Sequence, residues 1–328
     1  MKTLIISNYG VKVAIEKGVL KVVNGKEKLS VNLVDLEQII VATSGVSITS
    51  KAVRAIIEHG VDLVFLNHRG EPVGRVYPPF INRTVNTRRK QYLAYFTGKG
   101  VEIAKAIAEA KIRNQAGLLK RYSRILGDTE LRRMSKEILS YISELENIEG
   151  SLEEVRAKIV SVEAKAARIY WPMIAKLVPE NLGFQIRDQD GYDPFNIALN
   201  YGYGILYSEA WKTLVLAGLD PYAGFLHVDR SGKPTLAFDF VEMFRCSIVD
   251  FVLLKMVRKG WVPNVEYGIL DYKSRAEIAK NIIEGFERKI RFQGELLTLK
   301  QAIKRTAFNL ASYIRDNTPV LQGFVEDW

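Results

Sequence analysis

The sequence predicts an α+β protein in which a small N-terminal β-rich domain, residues 1–79, precedes a larger all-α domain, residues 91–328. Short β-branched or alternating runs broken by glycine turns fill the first part. Pro78-Pro79 ends that pattern, and beyond about residue 91 apolar residues recur at spacings of three and four.

The N-terminal elements follow in order. TLIISN, KVAIEK, VLKVV and EKLSVNL read as strands, with Lys17-Gly18 and Asn24-Gly25 suited to tight hairpin turns. QIIVAT is a further strand, and ITSKAVRAIIEHG is a helix opened by a Thr/Ser cap, with Val53, Ile56 and Ile57 on one face. DLVFLN and PVGRVY complete the domain. Residues 80–90, FINRTVNTRRK, form a basic connector carrying Arg83, Arg88, Arg89 and Lys90. Two readings stand for it, a solvated linker and a phosphate-contacting arm. Helices are then expected near residues 98–124, 130–148, 151–178, 193–218, 234–260, 274–289 and 297–316.

Composition narrows the function classes. With 48% hydrophobic and 26% charged residues, the chain is ordinary globular material. No run of 18 apolar residues occurs, and the N-terminus lacks the apolar stretch of a signal peptide, so no membrane role is expected. The single cysteine, Cys246, rules out an intrachain disulfide and a cysteine zinc motif, and a reducing cytoplasm is the simplest compartment. The net charge is +10, with 14 basic against 7 acidic residues in 1–90 and 33 against 30 in the remainder. That excess suits a polyanionic partner, although it also suits simple solubility.

Three places resist a purely structural account. Val155, Ile159, Val162, Ala166, Ile169 and Met173 form one helical stripe, and Glu163 sits on its flank where a carboxylate loses water. Asp239 and Glu242 share a helix face among Phe238, Phe240, Val241, Met243 and Phe244, with Arg245 as an available counter-ion. His227, one of only three histidines, ends the run YAGFLH before a polar turn. One imidazole with two or three carboxylates suits Mg²⁺ or Mn²⁺ better than structural zinc. A basic surface around such a metal suggests phosphodiester chemistry.

VEAKAARIYW (162–171), ALNYGYGIL (198–206) and GFLHVDRSGKPTLAFDFVEMFR (224–245), in this order behind a small β domain, resemble the CRISPR-associated adaptation integrases, the Cas-one family. The likeness covers essentially the whole chain. It implies a metal-dependent DNA integrase and endonuclease that inserts short DNA fragments into a CRISPR array and cleaves branched or single-stranded DNA, its helical domain being the catalytic one. It implies that Glu163, His227 and Glu242 hold the Mg²⁺ or Mn²⁺, with Asp239 assisting nearby. It implies a homodimer formed through the β domain, and a small second adaptation protein, Cas-two, as partner. Ala164 departs from the Gly that many members carry after the Glu.

Under that resemblance, a 3′-hydroxyl attacks a phosphate, and activity falls when His227 takes up a proton. Lys165, Arg168, Arg187 and Arg245 are candidates for phosphates, with Arg83, Arg88 and Arg89 of the connector. Tyr170 is a candidate for base stacking, while Asn200 and Tyr203 come from the ALNYGYG motif. Tyr170 and Trp171 also have a plain reading as core. Two other functions remain open: a transposon-type integrase or branched-DNA repair nuclease outside CRISPR, and a non-catalytic DNA-binding scaffold with a structural metal site.

Overall fold

The computed structural model describes residues 2–70, 72–76 and 84–328. Its N-terminal part builds two four-stranded sheets. β1 (Lys2–Ile6), β2 (Lys12–Glu16), β3 (Val19–Asn24), β4 (Glu27–Val31), β5 (Leu36–Val41) and β6 (Ser47–Ile48) lead into α1 (Ser50–Glu58), then β7 (Asp62–Leu66) and β8 (Pro72–Val76). One sheet runs β1-β5-β7-β8, parallel until β8 turns back; the other runs β4-β3-β2-β6. Lys17-Gly18 makes the β2–β3 turn with positive φ at both residues. The β3–β4 turn falls on Gly25-Lys26, one residue beyond Asn24-Gly25, because Asn24 still pairs with Glu27.

The central strands explain why QIIVA and DLVFL read as unbroken apolar runs. Ile39, Val41 and Leu63 enter the small domain's own core, while Ile40, Ala42, Val64 and Leu66 join the core of the helices. Alternation along a strand sends neighbours to opposite faces, and here both faces are dry. The β-rich part is therefore pressed onto the helical part. Ion pairs reinforce the junction: Glu37 of β5 meets Lys212 and Lys300, and Arg75 of β8 donates to Ser208. Gly70, at φ +81°, packs against Tyr201 so closely that a Cβ would stand 2.7 Å from the Tyr201 carbonyl oxygen.

The helical part comprises α2 (Thr84–Tyr95), α3 (Gly98–Leu126), α4 (Thr129–Ser140), α5 (Ile142–Glu146), α6 (Leu152–Ala175), α7 (Pro194–Leu216), α8 (Thr235–Glu242), α9 (Phe251–Val257), α10 (Tyr272–Phe286) and α11 (Leu299–Ile314). Residues 84–90 of the stretch read as connector are the opening turns of α2; Thr87 and Gln91 bury one side of it, while Arg89 stays exposed. Arg83 lies outside the described residues. The segment 234–260, read as one helix, is α8 and α9 joined through a π-helical turn over Cys246–Asp250. Two hairpins also interrupt the helices: β9 (Val265–Glu266) with β10 (Ile269–Leu270), and β11 (Lys289–Phe292) with β12 (Glu295–Thr298). Each is too short for an alternation signal to register.

A capping box at Ser151 and Glu154 starts α6. Asp193 caps α7, with Pro194 at its first position. The last residues pack behind α8: Phe324 is fully buried and stacks on Phe244, and Asn114 of α3 bonds the carbonyls of both Met243 and Phe324.

Candidate active site

α3, α6 and α8 meet along buried faces, and each brings a charged side chain to the meeting point. Glu163 comes from α6, Glu242 from the end of α8, and Lys111 from α3. The Lys111 ammonium bonds Glu163 and also lies 2.6 Å from Glu242 Oε2. Arg245 Nη1 takes the other Glu242 oxygen at 2.5 Å. Burial alone drives the Glu242 carboxyl upward, yet Arg245 and Lys111 hold it down to about 2. For Lys111 burial favours the neutral amine, and the two carboxylates more than offset it, so the net shift is upward. Glu163 Oε2 is buried without any hydrogen-bond partner.

The GFLH turn is set by Asp239. Its Oδ2 accepts the backbone N–H groups of Phe225 at 2.7 Å and Leu226 at 2.8 Å, and its Oδ1 accepts that of His227 at 3.0 Å. The same Oδ1 lies 2.7 Å from His227 Nδ1. Gly224 permits this approach, since a Cβ there would lie 2.8 Å from Asp239 Oδ2. Arg156, on α6 two turns before Glu163, donates to the Phe225 carbonyl at 3.2 Å and fixes the turn from below. With Nδ1–H committed to Asp239, His227 presents Nε2 outward from a side chain that is 41% exposed. The bond to Asp239 raises the imidazole pKa, burial opposes it, and the nearby Glu242 and Glu163 charges add to the rise.

Asp239 and Glu242 sit on one helix yet differ in kind. Asp239 has its oxygens consumed by the turn, so it holds His227 rather than standing as a free donor. Glu242 is held only by cations. Among the described residues no three of His, Cys, Asp and Glu converge tightly enough to enclose an ion. The donor types nonetheless suit a hard divalent cation: two carboxylates, Glu163 among them with its unpartnered Oε2, and one imidazole nitrogen. Between the carboxylates stands the Lys111 ammonium, the positive charge that such an ion would replace.

The DNA-binding candidates separate into two groups. Arg187, Asn200, Tyr203 and Arg245 line one groove of about 590 Å³ beside α8, together with Arg69, Lys233, Tyr207 and Phe238. The Tyr203 ring lies between the guanidinium groups of Arg187 and Arg245, 5.5 and 4.8 Å from its centroid. Arg187 also donates to Asn200 at 2.5 Å. Behind the groove, Asp250 accepts from Tyr203 at 2.5 Å and from Tyr170 at 2.6 Å. Burial raises the Asp250 pKa against those bonds, and it raises both tyrosines well above their ordinary value.

The other group lies elsewhere. Tyr170 is completely buried with its hydroxyl on Asp250, so the base-stacking role is corrected to a core role. Trp171 packs edge-on against it. Lys165 pairs with Glu144 at 2.6 Å on the surface, and Arg168 is exposed on α6, neither of them lining the groove. Sequence reasoning missed Lys111 and Arg156. Both sit on helical stripes that look amphipathic, and nothing local marks either as a partner of residues far along the chain.

Comparison with known proteins agrees with this architecture. The family described as CRISPR associated protein Cas1 matches residues 4–288. CRISPR-associated endonuclease Cas1 2 of Saccharolobus solfataricus is 36% identical over 96% of this chain and 95% of its own length. CRISPR-associated endonuclease Cas1 1 of Archaeoglobus fulgidus is 33% identical, with 99% of each chain covered. Among solved structures, a casposase bound to integration product superposes with a TM-score of 0.84 at 26% identity, covering 98% of this chain and 93% of the casposase.

Proposed function

This chain belongs to the Cas1 family, and from that premise we propose that it is a divalent-metal-dependent DNA endonuclease and integrase of CRISPR adaptation. The observation that carries the reading is the joining of Glu163 and Glu242 through Lys111, with His227 near enough for both carboxylate charges to act on its ring, beside a cationic groove. Relatives named as CRISPR-associated endonucleases, and a casposase bound to an integration product, support a phosphodiester reaction.

Glu163, Glu242 and His227 Nε2 would hold Mg²⁺ or Mn²⁺. Bound there, the metal would supply a lowered pKa for the attacking hydroxyl and Lewis-acid stabilisation of the phosphorane charge. The chain's own groups do the rest. Asp239 keeps His227 in the tautomer whose Nε2 is a lone-pair donor. Arg187 and Arg245, stiffened on the Tyr203 ring, offer guanidinium groups to phosphates along the groove. The 3′-oxygen of an incoming strand forms a bond to phosphorus as the target strand's P–O bond breaks, and the departing 3′-oxygen takes the proton. In hydrolysis, water replaces the 3′-hydroxyl.

The partners follow from the same reading: DNA, a second copy of the chain through the β-rich domain, and the small Cas-two protein. The runner-up is a transposon-type integrase, favoured by the casposase likeness. Target preference separates the two, since an adaptation enzyme prefers a CRISPR repeat boundary.

A strand-transfer assay with Mg²⁺ or Mn²⁺, with and without the small partner protein, tests the proposal. Glu163→Ala, His227→Ala and Glu242→Ala each abolish strand transfer while DNA binding persists. Integration retained by His227→Ala at saturating Mn²⁺ refutes the metal assignment. Variants that lose folding and not merely activity point to a structural metal. Neutralising Arg88 and Arg89 flattens the salt dependence of DNA binding by about one unit of slope per lost contact; an unchanged slope leaves them as solvated helix charges.

A further inference from the structure

Asp250 lies behind the groove wall, 1% exposed, and takes no part in the chemistry described above. Its two oxygens are divided between two tyrosines. Oδ2 accepts from Tyr170 at 2.6 Å and Oδ1 accepts from Tyr203 at 2.5 Å. The two phenols differ in what else holds them. Tyr170 is wholly buried on α6 against Trp171, so packing keeps its ring in place with or without the hydroxyl. Tyr203 is a half-buried wall of the groove, and its ring stands between two guanidinium groups. Asp250 therefore joins a fixed point in the core to a ring that faces the site.

Local backbone geometry brings these residues together. Between α8 and α9 the chain widens into the π turn, with the Phe251 N–H on the Cys246 carbonyl. On an unbroken α-helix, residues five apart point about 140° away from each other. The wider turn brings them back toward one side. Arg245 and Asp250 thereby meet the same tyrosine, one over its ring and one at its hydroxyl. Arg288 donates to the Ser247 carbonyl at 2.8 Å and ties the turn down from outside. On α7, a Cβ at Gly202 would lie 2.7 Å from Val249 Cγ1 of the turn. Its absence lets the helix approach closely enough for Tyr203 to reach Asp250.

We propose that Asp250 is a positioning residue for the reaction: through the Tyr203 hydroxyl it fixes the ring that sets the Arg187 and Arg245 guanidinium groups toward the reacting phosphate. The proposal rests on the phosphodiester reading above and adds to it a residue that touches neither DNA nor metal. Burial raises both phenols well above the ordinary tyrosine value, so each remains an O–H donor to Asp250. A phenol that donates to a carboxylate is also more electron-rich, which strengthens its hold on cations at its two faces. Arg187 has further hydrogen bonds, to Asn196 and Asn200. Arg245 has a buried Nε without one, and its Nη1 is on Glu242, so the ring matters most to Arg245.

The test compares Tyr203→Phe with Tyr170→Phe in the full-length protein. Each removes one hydrogen bond from the same carboxylate, so a purely structural role of Asp250 lowers melting temperature and activity alike in both. Two quantities are measured: Kd for a fluorescent DNA duplex in EDTA, and the single-turnover rate of strand transfer at saturating DNA with Mn²⁺. Tyr203→Phe slows transfer by about 10-fold or more. Its Kd and salt dependence stay as in wild type, because the same charges remain on the surface. Tyr170→Phe matches wild type in both quantities. Asp250→Asn is slowed as Tyr203→Phe is, and the double variant is no slower than Asp250→Asn alone, since both losses pass through one bond. Equal rates for the two Phe variants overturn the proposal, as does a Tyr203→Phe variant that loses DNA binding at an unchanged rate. If wild type neither binds DNA nor transfers a strand, the function reading fails and the positioning role falls with it.

Discussion

Two ionic clusters in this molecule look alike and differ in burial and in how their polar atoms are partnered. At the domain junction, Lys212 meets Glu209 at 2.6 Å and Glu37 at 3.6 Å, while Lys300 meets Glu37 at 2.9 Å. At the active site, Lys111 bridges Glu163 and Glu242, and Arg245 takes the remaining Glu242 oxygen. Each cluster sets two acids against two bases, with Glu37 of the junction 36% exposed and both acids of the site buried. Among the described residues, the junction cluster leaves no buried side-chain oxygen or nitrogen without a hydrogen bond, whereas at the site Glu163 Oε2, Glu242 Oε2 and Arg245 Nε all lack one. Desolvating a polar atom without a partner is costly. The first cluster joins the β-rich and helical parts; the second is where the proposed function would place a cation.

The largest effect separates them directly. Lys111→Met and Lys212→Met each remove the central ammonium, and each destabilises the protein by about 3–5 kcal/mol in urea unfolding with EDTA present. On the proposed function, added millimolar Mn²⁺ or Mg²⁺ restores much of the loss in Lys111→Met and none in Lys212→Met, because only the first site would bind the metal. Equal metal responses in the two variants would erase the distinction.

Next comes Asp239→Asn. The amide offers N–H where the turn needs an acceptor, so the His227 loop loosens and strand transfer drops about 10–100-fold. Measured against Glu242→Ala, which removes activity altogether, this variant separates the residue that positions from the residue that holds. Equal losses in the two would contradict the geometry.

Acid sharpens the comparison further. The Glu242 pKa is depressed in the folded protein, to about 2, so its ionisation stabilises the fold above its ordinary value of 4.5. That contribution disappears as pH falls through 4.5 toward 2. Glu242→Gln lowers stability at neutral pH and flattens this part of the acid-unfolding curve; a curve of unchanged shape would mean the ion pairs contribute nothing. The smallest effect belongs to the exposed pair Lys165–Glu144. Lys165→Ala costs less than about 1 kcal/mol by thermal melting and leaves duplex binding alone.

Much of this was legible from residue order. The change of period near residue 80 and the odd placing of Glu163, His227, Asp239 and Glu242 are each visible within a short stretch of chain. The short hairpins escaped, as did the helix that begins inside the basic connector. Tyr170 misled for a different reason: its neighbours on α6 include cations, but its side chain faces Asp250, 80 residues away.

The sequence by itself determined most of the long elements and the resemblance, with the metal donors that resemblance implies, because periodicity and motif spacing are short-range properties of a chain. Only the tertiary structure decided that Lys111 stands between Glu163 and Glu242, and that Asp239 is spent on the turn. It alone joined Tyr170 and Tyr203 through Asp250. Lys111 and Glu163 are 52 residues apart, and the His227 ring that feels the Glu163 charge belongs to a third segment. Such meetings depend on how helices cross and which faces they bury, and no local pattern along the chain encodes that.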